Sequence, residues 1–241
     1  MYGIINLIHS DPLFYALNNK IEIKRDTAFN ILGMIEKDEL DAGMVSLVQF
    51  LNSDLKLIET ANIHTLSNTM STLLISRNKH IENNIEIAVT SLTATTSFYL
   101  SLILNKMGIK YELIKSKYTD AQHLLNNNDY ALVIGDDALL AYKSNYNIIF
   151  DIGYEFSRLF NLMPVYAVTA SKRDFDHKII DNAIAASKNY VEKSIIKNQA
   201  KVKKEILKFY YNTIKYDYNF EVNETVNFLK NIILKNEYIN Q

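Results

Sequence analysis

Residues 131–140 read ALVIGDDALL. A short apolar run ending in a glycine, followed by two carboxylates and a return to Ala and Leu, reads as a buried strand turning into a helix. Asp136 and Asp137 invite three readings: a metal site, a catalytic pair or a packing device. Two carboxylates are too few for magnesium or zinc without further ligands, and Ala138 and Leu139 supply none. Neighbouring side chains diverge in a strand as in a helix, so the two do not face each other. The favoured reading is structural, with one of them capping a helix that starts near Ala138 by accepting backbone N–H bonds.

Working outward, the same alternation recurs. YGIINLI reads as a strand running into His9-Ser10-Asp11-Pro12, where Pro12 biases Asp11 away from helical geometry. IEIKRD follows, then the amphipathic TAFNILGMIEKDEL, with Phe29, Leu32 and Ile35 at helical spacing. AGMVSLVQFL reads as a strand, followed by KLIETANIHTLS and the alternating STLLISR. The pattern restarts near residue 85 with IEIAVTS, the apolar helix of TATTSFYLSLILNKMG, IKYELIKS, a short helix capped at Thr119, and YALVIG. From Phe175 onward the chain reads as mostly helical.

Strand–helix alternation points to α/β layers with parallel strands, whose ligands sit at the carboxyl ends of strands. The restart predicts one lobe built from residues 1–85 and 169–241, and a second from 86–168. The strand at Val165–Thr169 returns the chain to the first lobe.

Composition narrows the function. The 241 residues carry a formal net charge of −1, which offers no basic face for nucleic acid. There is no cysteine, so disulfides, thiolate nucleophiles and Cys-based metal sites are excluded. The start MYGIINLIHSDPLF lacks the basic residues and long apolar run of a signal peptide, and no apolar stretch reaches the ~18 residues of a membrane span. The expectation is a soluble cytoplasmic protein that engages neither membrane nor nucleic acid.

Candidate chemistry lies at strand ends. His9 follows a strand and can act as a base or as a donor to an anion. Ser67, Asn68, Thr69, Ser71 and Thr72 cluster before STLLISR, but no G-x-S-x-G elbow supports a serine hydrolase. TSLTATTSF offers hydroxyls at a helix start, where unpaired N–H groups attract carboxylates or phosphates. His64, His80, His123 and His177 are scattered without metal-ligand spacing and read as surface or structural residues. Tyr210, Tyr211, Tyr216 and Tyr218 read as packing and surface residues. No glycine loop for a nucleotide is present.

Taken in order, DPLFYAL, KDELDAGMVSLVQFL, STLLISR, ALVIGDDAL and FDIGYEFSRLFNLMPVYAV resemble the menaquinone-biosynthesis family of the futalosine route, from about residue 3 to residue 174. That resemblance implies a two-lobed fold of the type 2 periplasmic-binding-protein kind, with a central cleft, a helical C-terminal segment and no metal or organic cofactor. The activity it implies is loss of water from chorismate, a small dianion, giving 3-[(1-carboxyvinyl)oxy]benzoate. The alternatives are the sister lyase that makes 1,4-dihydroxy-6-naphthoate from cyclic dehypoxanthine futalosine, and an intracellular small-anion binder of the same fold.

Carried over residue by residue, the family's substrate-contacting asparagine falls on His9, and its serine on Ser71. The turn before that serine has become Ser67-Asn68-Thr69, and the family's helix-start Ser-x-Thr-Ser run corresponds to Thr93-Ala94-Thr95-Thr96. Where a tryptophan and a Thr-Gly-Leu-Pro run are expected, Phe156 and Phe160–Pro164 stand. The resemblance thus implies Ser71 and His9 as catalytic residues, and Ser10, Asn68, Thr69, Thr95, Thr96 and Asp136 as substrate contacts. Asparagine does not titrate and histidine does, so His9 changes the chemistry available there.

Overall fold

A computed structural model describes residues 1–235 apart from Lys79, Ser91 and Lys143. Ser91, the last residue of the expected strand IEIAVTS, and residues 236–241 of the expected first lobe therefore lie outside the described residues. The described residues divide into two compact units: Met1–His64 together with residues 165–235, and Thr65–Pro164.

The chain opens with β1 (Tyr2–Ile5), a 3-10 turn (Ile8–Ser10), α1 (Asp11–Leu17), β2 (Ile23–Asp26) and α2 (Ala28–Glu36). It continues through β3 (Ala42–Ser46), α3 (Leu47–Leu51) and β4 (Lys56–His64). The second unit contains β5 (Thr72–Ser76), β6 (Ile85–Thr90), α4 (Ala94–Lys106), β7 (Tyr111–Ser116) and α5 (Ala121–Leu124). It is completed by β8 (Tyr130–Ile134), α6 (Gly135–Ala141), β9 (Asn147–Asp151) and α7 (Ile152–Phe160). The first unit resumes with β10 (Val165–Ser171), α8 (Lys178–Ser187), a 3-10 turn (Lys188–Tyr190), α9 (Val191–Asn198), α10 (Lys204–Thr213) and α11 (Phe220–Leu234).

Each unit holds a five-stranded sheet, ordered β2-β1-β3-β10-β4 in the first and β7-β6-β8-β5-β9 in the second. The two orders are the same plan. The first three strands of each are parallel, joined by helical crossovers. The fourth, β10 or β5, enters after the chain has crossed from the other unit and runs antiparallel to both neighbours. The sheets are therefore mixed, where strand–helix alternation points to parallel strands. β5 belongs to the second sheet, so STLLISR, expected in the first lobe, hydrogen-bonds instead with β8 and β9.

The opening stretch is buried on both faces. Ala131 and Val133 of β8 pack with Ala138 and Ala141 of α6 and with Leu73 and Ile75 of β5. Leu132 points to the opposite face and is also fully buried, which explains a continuous apolar run in place of alternation. The helix begins earlier than expected. Gly135 takes φ +59° and opens α6 with its N–H donating to the Ser71 carbonyl at 2.7 Å. Its N-cap is Ile134, without a side-chain cap, and Asp136 and Asp137 lie within the first turn. Their charge complements the helix dipole there. Likewise Asp120, not Thr119, caps α5, accepting the His123 N–H at 3.0 Å.

The first unit corrects two further expectations. AGMVSLVQFL is not one strand, because β3 ends at Ser46 and Leu47–Leu51 form α3. The core face of α2 is Ile31 and Ile35, whereas Phe29 is 61% exposed. Ile31 sits over a glycine pair: a Cβ on Gly3 or on Gly43 would lie 2.7 Å from its Cγ2. Gly3 and Gly43 are register partners on β1 and β3, so together they form the slot that selects Ile31.

Candidate active site

In the first unit, the carboxyl end of β1 leads through Leu7 into the turn Ile8-His9-Ser10 and then α1. His9 and Ser10 are buried, at 9% and 0% exposure. His9 Nε2, Ser10 Oγ and Arg25 Nε are buried without a hydrogen-bond partner among the described residues. An unpaired buried polar atom costs about 1–3 kcal/mol, and native folds keep few of them. Three such atoms, two on the turn and one on β2, are gathered here. Burial and then the Arg25 charge push the His9 imidazole down to about 4, with Asp11 acting against them. At neutral pH His9 is therefore an uncharged hydrogen-bonding group.

Asp11 is the hub beside it. Its carboxylate accepts Arg25 Nη1 at 2.8 Å, Lys197 Nζ at 2.9 Å and Asn198 Nδ2 at 2.8 Å. Burial alone would raise its carboxyl, but the bonds from Asn198, Lys197 and Arg25 outweigh that and hold it below the usual range. Arg25 also donates from Nη2 to the Leu7 carbonyl at 3.3 Å and lies 4.8 Å from the Phe14 ring centroid. One buried carboxylate faces two cations, leaving a surplus positive charge near the turn.

In the second unit, strand register gathers the remaining candidates at one sheet edge. Thr72 pairs with Ile134 and Leu73 with Asp151, so the start of β5 lies at the carboxyl ends of β8 and β9. That edge carries Ser71, the first turn of α6 with Asp136, and, after β6, the start of α4 with Thr95 and Thr96. Ser71, Thr95 and Thr96 are buried, and Asp136 is partly exposed. Thr93 donates to the Thr90 carbonyl at 2.7 Å and shares a bond with Ser97 Oγ, which fixes the entry to α4.

Asn68 and Thr69 are turn-builders. Asn68 Oδ1 accepts the Met70 N–H at 3.1 Å, and Thr69 Oγ1 lies 3.3 Å from Thr65 Oγ1. Met70 holds φ +59°, an uncommon conformation for a side-chain-bearing residue. The carboxylate that stabilises it is Asp151, which sequence reasoning missed. Asp151 accepts N–H groups from Thr69 at 3.1 Å, Met70 at 2.7 Å and Tyr154 at 3.1 Å. It caps α7 and folds the 69–70 turn in one act, immediately before Ser71. Burial raises its carboxyl, the backbone N–H bonds pulling the other way. The available signal was an Asp directly before the helical IGYEF.

His64 is buried and bonded through Nδ1 to Asn62 Oδ1 at 2.6 Å, while His123 and His177 sit on the surface beside Asp120 and Asp181. All three fit the structural reading. Among the described residues no group of three or more His, Asp or Glu is placed to hold a metal ion, and no helix is long and apolar enough to cross a membrane.

Two mixed sheets of identical order, each completed by a strand from a crossing, and a long C-terminal helix define the α/β fold of periplasmic binding proteins. Solved structures with this fold include the protein AF1704 of Archaeoglobus fulgidus, 12% identical with a TM-score of 0.72 over 98% of this chain and 97% of that one. Another is the periplasmic aliphatic sulphonate-binding protein SsuA of Escherichia coli, 12% identical with a TM-score of 0.71 over 98% and 86%. An ABC transporter from Parabacteroides distasonis is 13% identical, with a TM-score of 0.67 over 93% and 88%. Within that class the chain belongs to the menaquinone-biosynthesis family, whose match spans residues 2–233. A comparison with curated proteins finds no match.

Proposed function

We propose that this chain is a chorismate dehydratase, removing water from chorismate to give 3-[(1-carboxyvinyl)oxy]benzoate. The observation that carries the reading is family membership over residues 2–233 combined with where the family's contact positions fall. His9 and Ser10 lie at the end of β1, and Ser71, Thr95, Thr96 and Asp136 at one edge of the second sheet.

The reaction removes one ring hydrogen as a proton and the neighbouring hydroxyl as water, and the ring becomes aromatic. Aromatisation supplies the driving force, so the protein has to bind the dianion, orient it and stabilise the departing hydroxyl. Ser71 donates a hydrogen bond to the leaving group. His9, neutral and unpaired at Nε2, hydrogen-bonds a substrate carboxylate or assists proton transfer, and Ser10 assists it. The surplus charge of Arg25 and Lys197 over Asp11 favours an anion near that turn. Thr95 and Thr96, in the first turn of a thirteen-residue helix, anchor a carboxylate. Asn68 and Thr69 act through the shape of the turn before Ser71. Asp136 would repel a dianion as a direct ligand, so its part is to organise the surrounding loops. The substrate's own enolpyruvyl carboxylate can serve as the base.

Incubating the purified protein with chorismate and identifying the product by mass and ultraviolet absorbance tests this reading. Loss of one water with appearance of the substituted benzoate is the expected result. Unchanged chorismate, with turnover of cyclic dehypoxanthine futalosine, would assign the sister lyase instead. Binding of chorismate without turnover would leave an anion-binding protein.

A further inference from the structure

The turn that carries His9 has little structure of its own. It is a three-residue 3-10 segment with no side-chain cap, between a four-residue strand and a seven-residue helix. Its backbone carbonyls are claimed from the far end of the chain. Tyr216 Oη donates to the His9 carbonyl at 2.5 Å, and Tyr211 Oη donates to the Ile8 carbonyl at 3.1 Å. Asn198 and Lys197 reach Asp11 just beyond. Two positions of the turn and the first residue of α1 are thus each held by the C-terminal segment.

That segment is itself fixed. Lys215 N–H donates to the His64 carbonyl at 2.9 Å, and the His64 N–H returns a bond to Lys215 at 3.2 Å. The Tyr216 carbonyl accepts both the backbone N–H and the side-chain Nδ2 of Asn62, each at 3.0 Å. Residues 215–216 therefore form a short extra rung on the end of β4, the strand whose last residue pairs with the start of β10. Tyr216 is 8% exposed, and its phenol stays protonated at any ordinary pH because burial raises it far. It is a fixed donor on a fixed mount.

We infer that Tyr216 is a positioning residue for His9: its hydroxyl, carried on the rung that 215–216 add to β4, sets the backbone orientation from which the His9 imidazole presents Nε2. Tyr211 performs the same task one residue earlier. The packing tyrosines of the C-terminal segment thereby become part of the functional turn. The inference rests on His9 being a site residue, as the proposed function has it.

The test compares wild type with Tyr216→Phe, which deletes the donor alone, and with Tyr218→Phe. Tyr218 bonds Asn223 and lies outside the His9 turn. Protein labelled with 15N at histidine gives ring-nitrogen resonances for five histidines, and the His9 signals are identified by their loss in His9→Asn. In Tyr216→Phe the His9 resonances shift or broaden while the other four hold, and in Tyr218→Phe all five hold. With chorismate, kcat falls about tenfold in Tyr216→Phe while KM changes less than about twofold, because orientation and not binding is lost. Tyr211→Phe shows the same pattern and decides the matter if Tyr216→Phe does not fold. A lowered melting temperature with wild-type His9 resonances and kcat would overturn the inference, since a purely structural tyrosine behaves that way. If wild type leaves chorismate unchanged, the proposed function fails separately, and the His9 resonances alone decide the positioning.

Discussion

At the scale of single residues, the role proposed for His9 is the most directly testable. Its imidazole is buried, uncharged at neutral pH and unpaired at Nε2. His9→Asn keeps an uncharged side chain that both donates and accepts, and holds turnover of chorismate within about tenfold of wild type. His9→Ala removes the group and lowers kcat/KM about a hundredfold. Wild-type kcat/KM in His9→Ala, measured by steady-state kinetics, would remove His9 from the reaction. The sequence placed His9 at a strand end, which the fold keeps. It did not reveal burial or the charge of Arg25, because both come from residues remote in the chain.

At the scale of elements, two arrangements make definite demands. Ile31 of α2 occupies the slot over Gly3 and Gly43, and a Cβ on Gly43 would also lie 3.0 Å from the Gly3 Cα. Backbone cannot give way as a side chain can, so Gly43→Ala lowers unfolding free energy by about 1–3 kcal/mol in urea titrations. A stability equal to wild type would contradict the slot. The second arrangement is Asp151, which holds the Met70 turn and caps α7 together. Asp151→Ala leaves those N–H groups without their acceptor and costs about 1–3 kcal/mol. It also lowers kcat/KM through the displaced Ser71. A destabilised variant with undiminished kcat/KM would separate the cap from the site. Periodicity located α2 but selected Phe29, because no local pattern records that two glycines on adjacent strands open room for Ile31.

At the scale of the whole molecule, burial of histidine makes stability depend on pH. Burial is the main cause that pushes His64, like His9, from 6.5 to about 4. The unfolded chain then binds more protons than the folded one between those values. Stability is complete above about pH 6.5 and is lost as the pH falls towards 4. A shift of this size corresponds to at most about 3 kcal/mol per histidine. Urea midpoints measured between pH 7.5 and 4.5 should fall, and His64→Gln should flatten the slope. Identical midpoints across that range would mean that neither imidazole is held neutral by the fold.

The sequence by itself determined the α/β class, most of the strand–helix alternation and the strand-end address of most candidate residues. Apolar runs, helical spacing and turn residues are local properties, and they suffice for these. Only the tertiary structure decided that β5 joins the second sheet, that β5 and β10 run antiparallel to their neighbours, and that Asp151 builds the turn before Ser71. It alone brought Tyr211, Tyr216 and Asn198 onto the His9 turn. Each of these depends on hydrogen bonds between segments distant along the chain, and the free energy of such pairings leaves no mark in the spacing of residues within either segment.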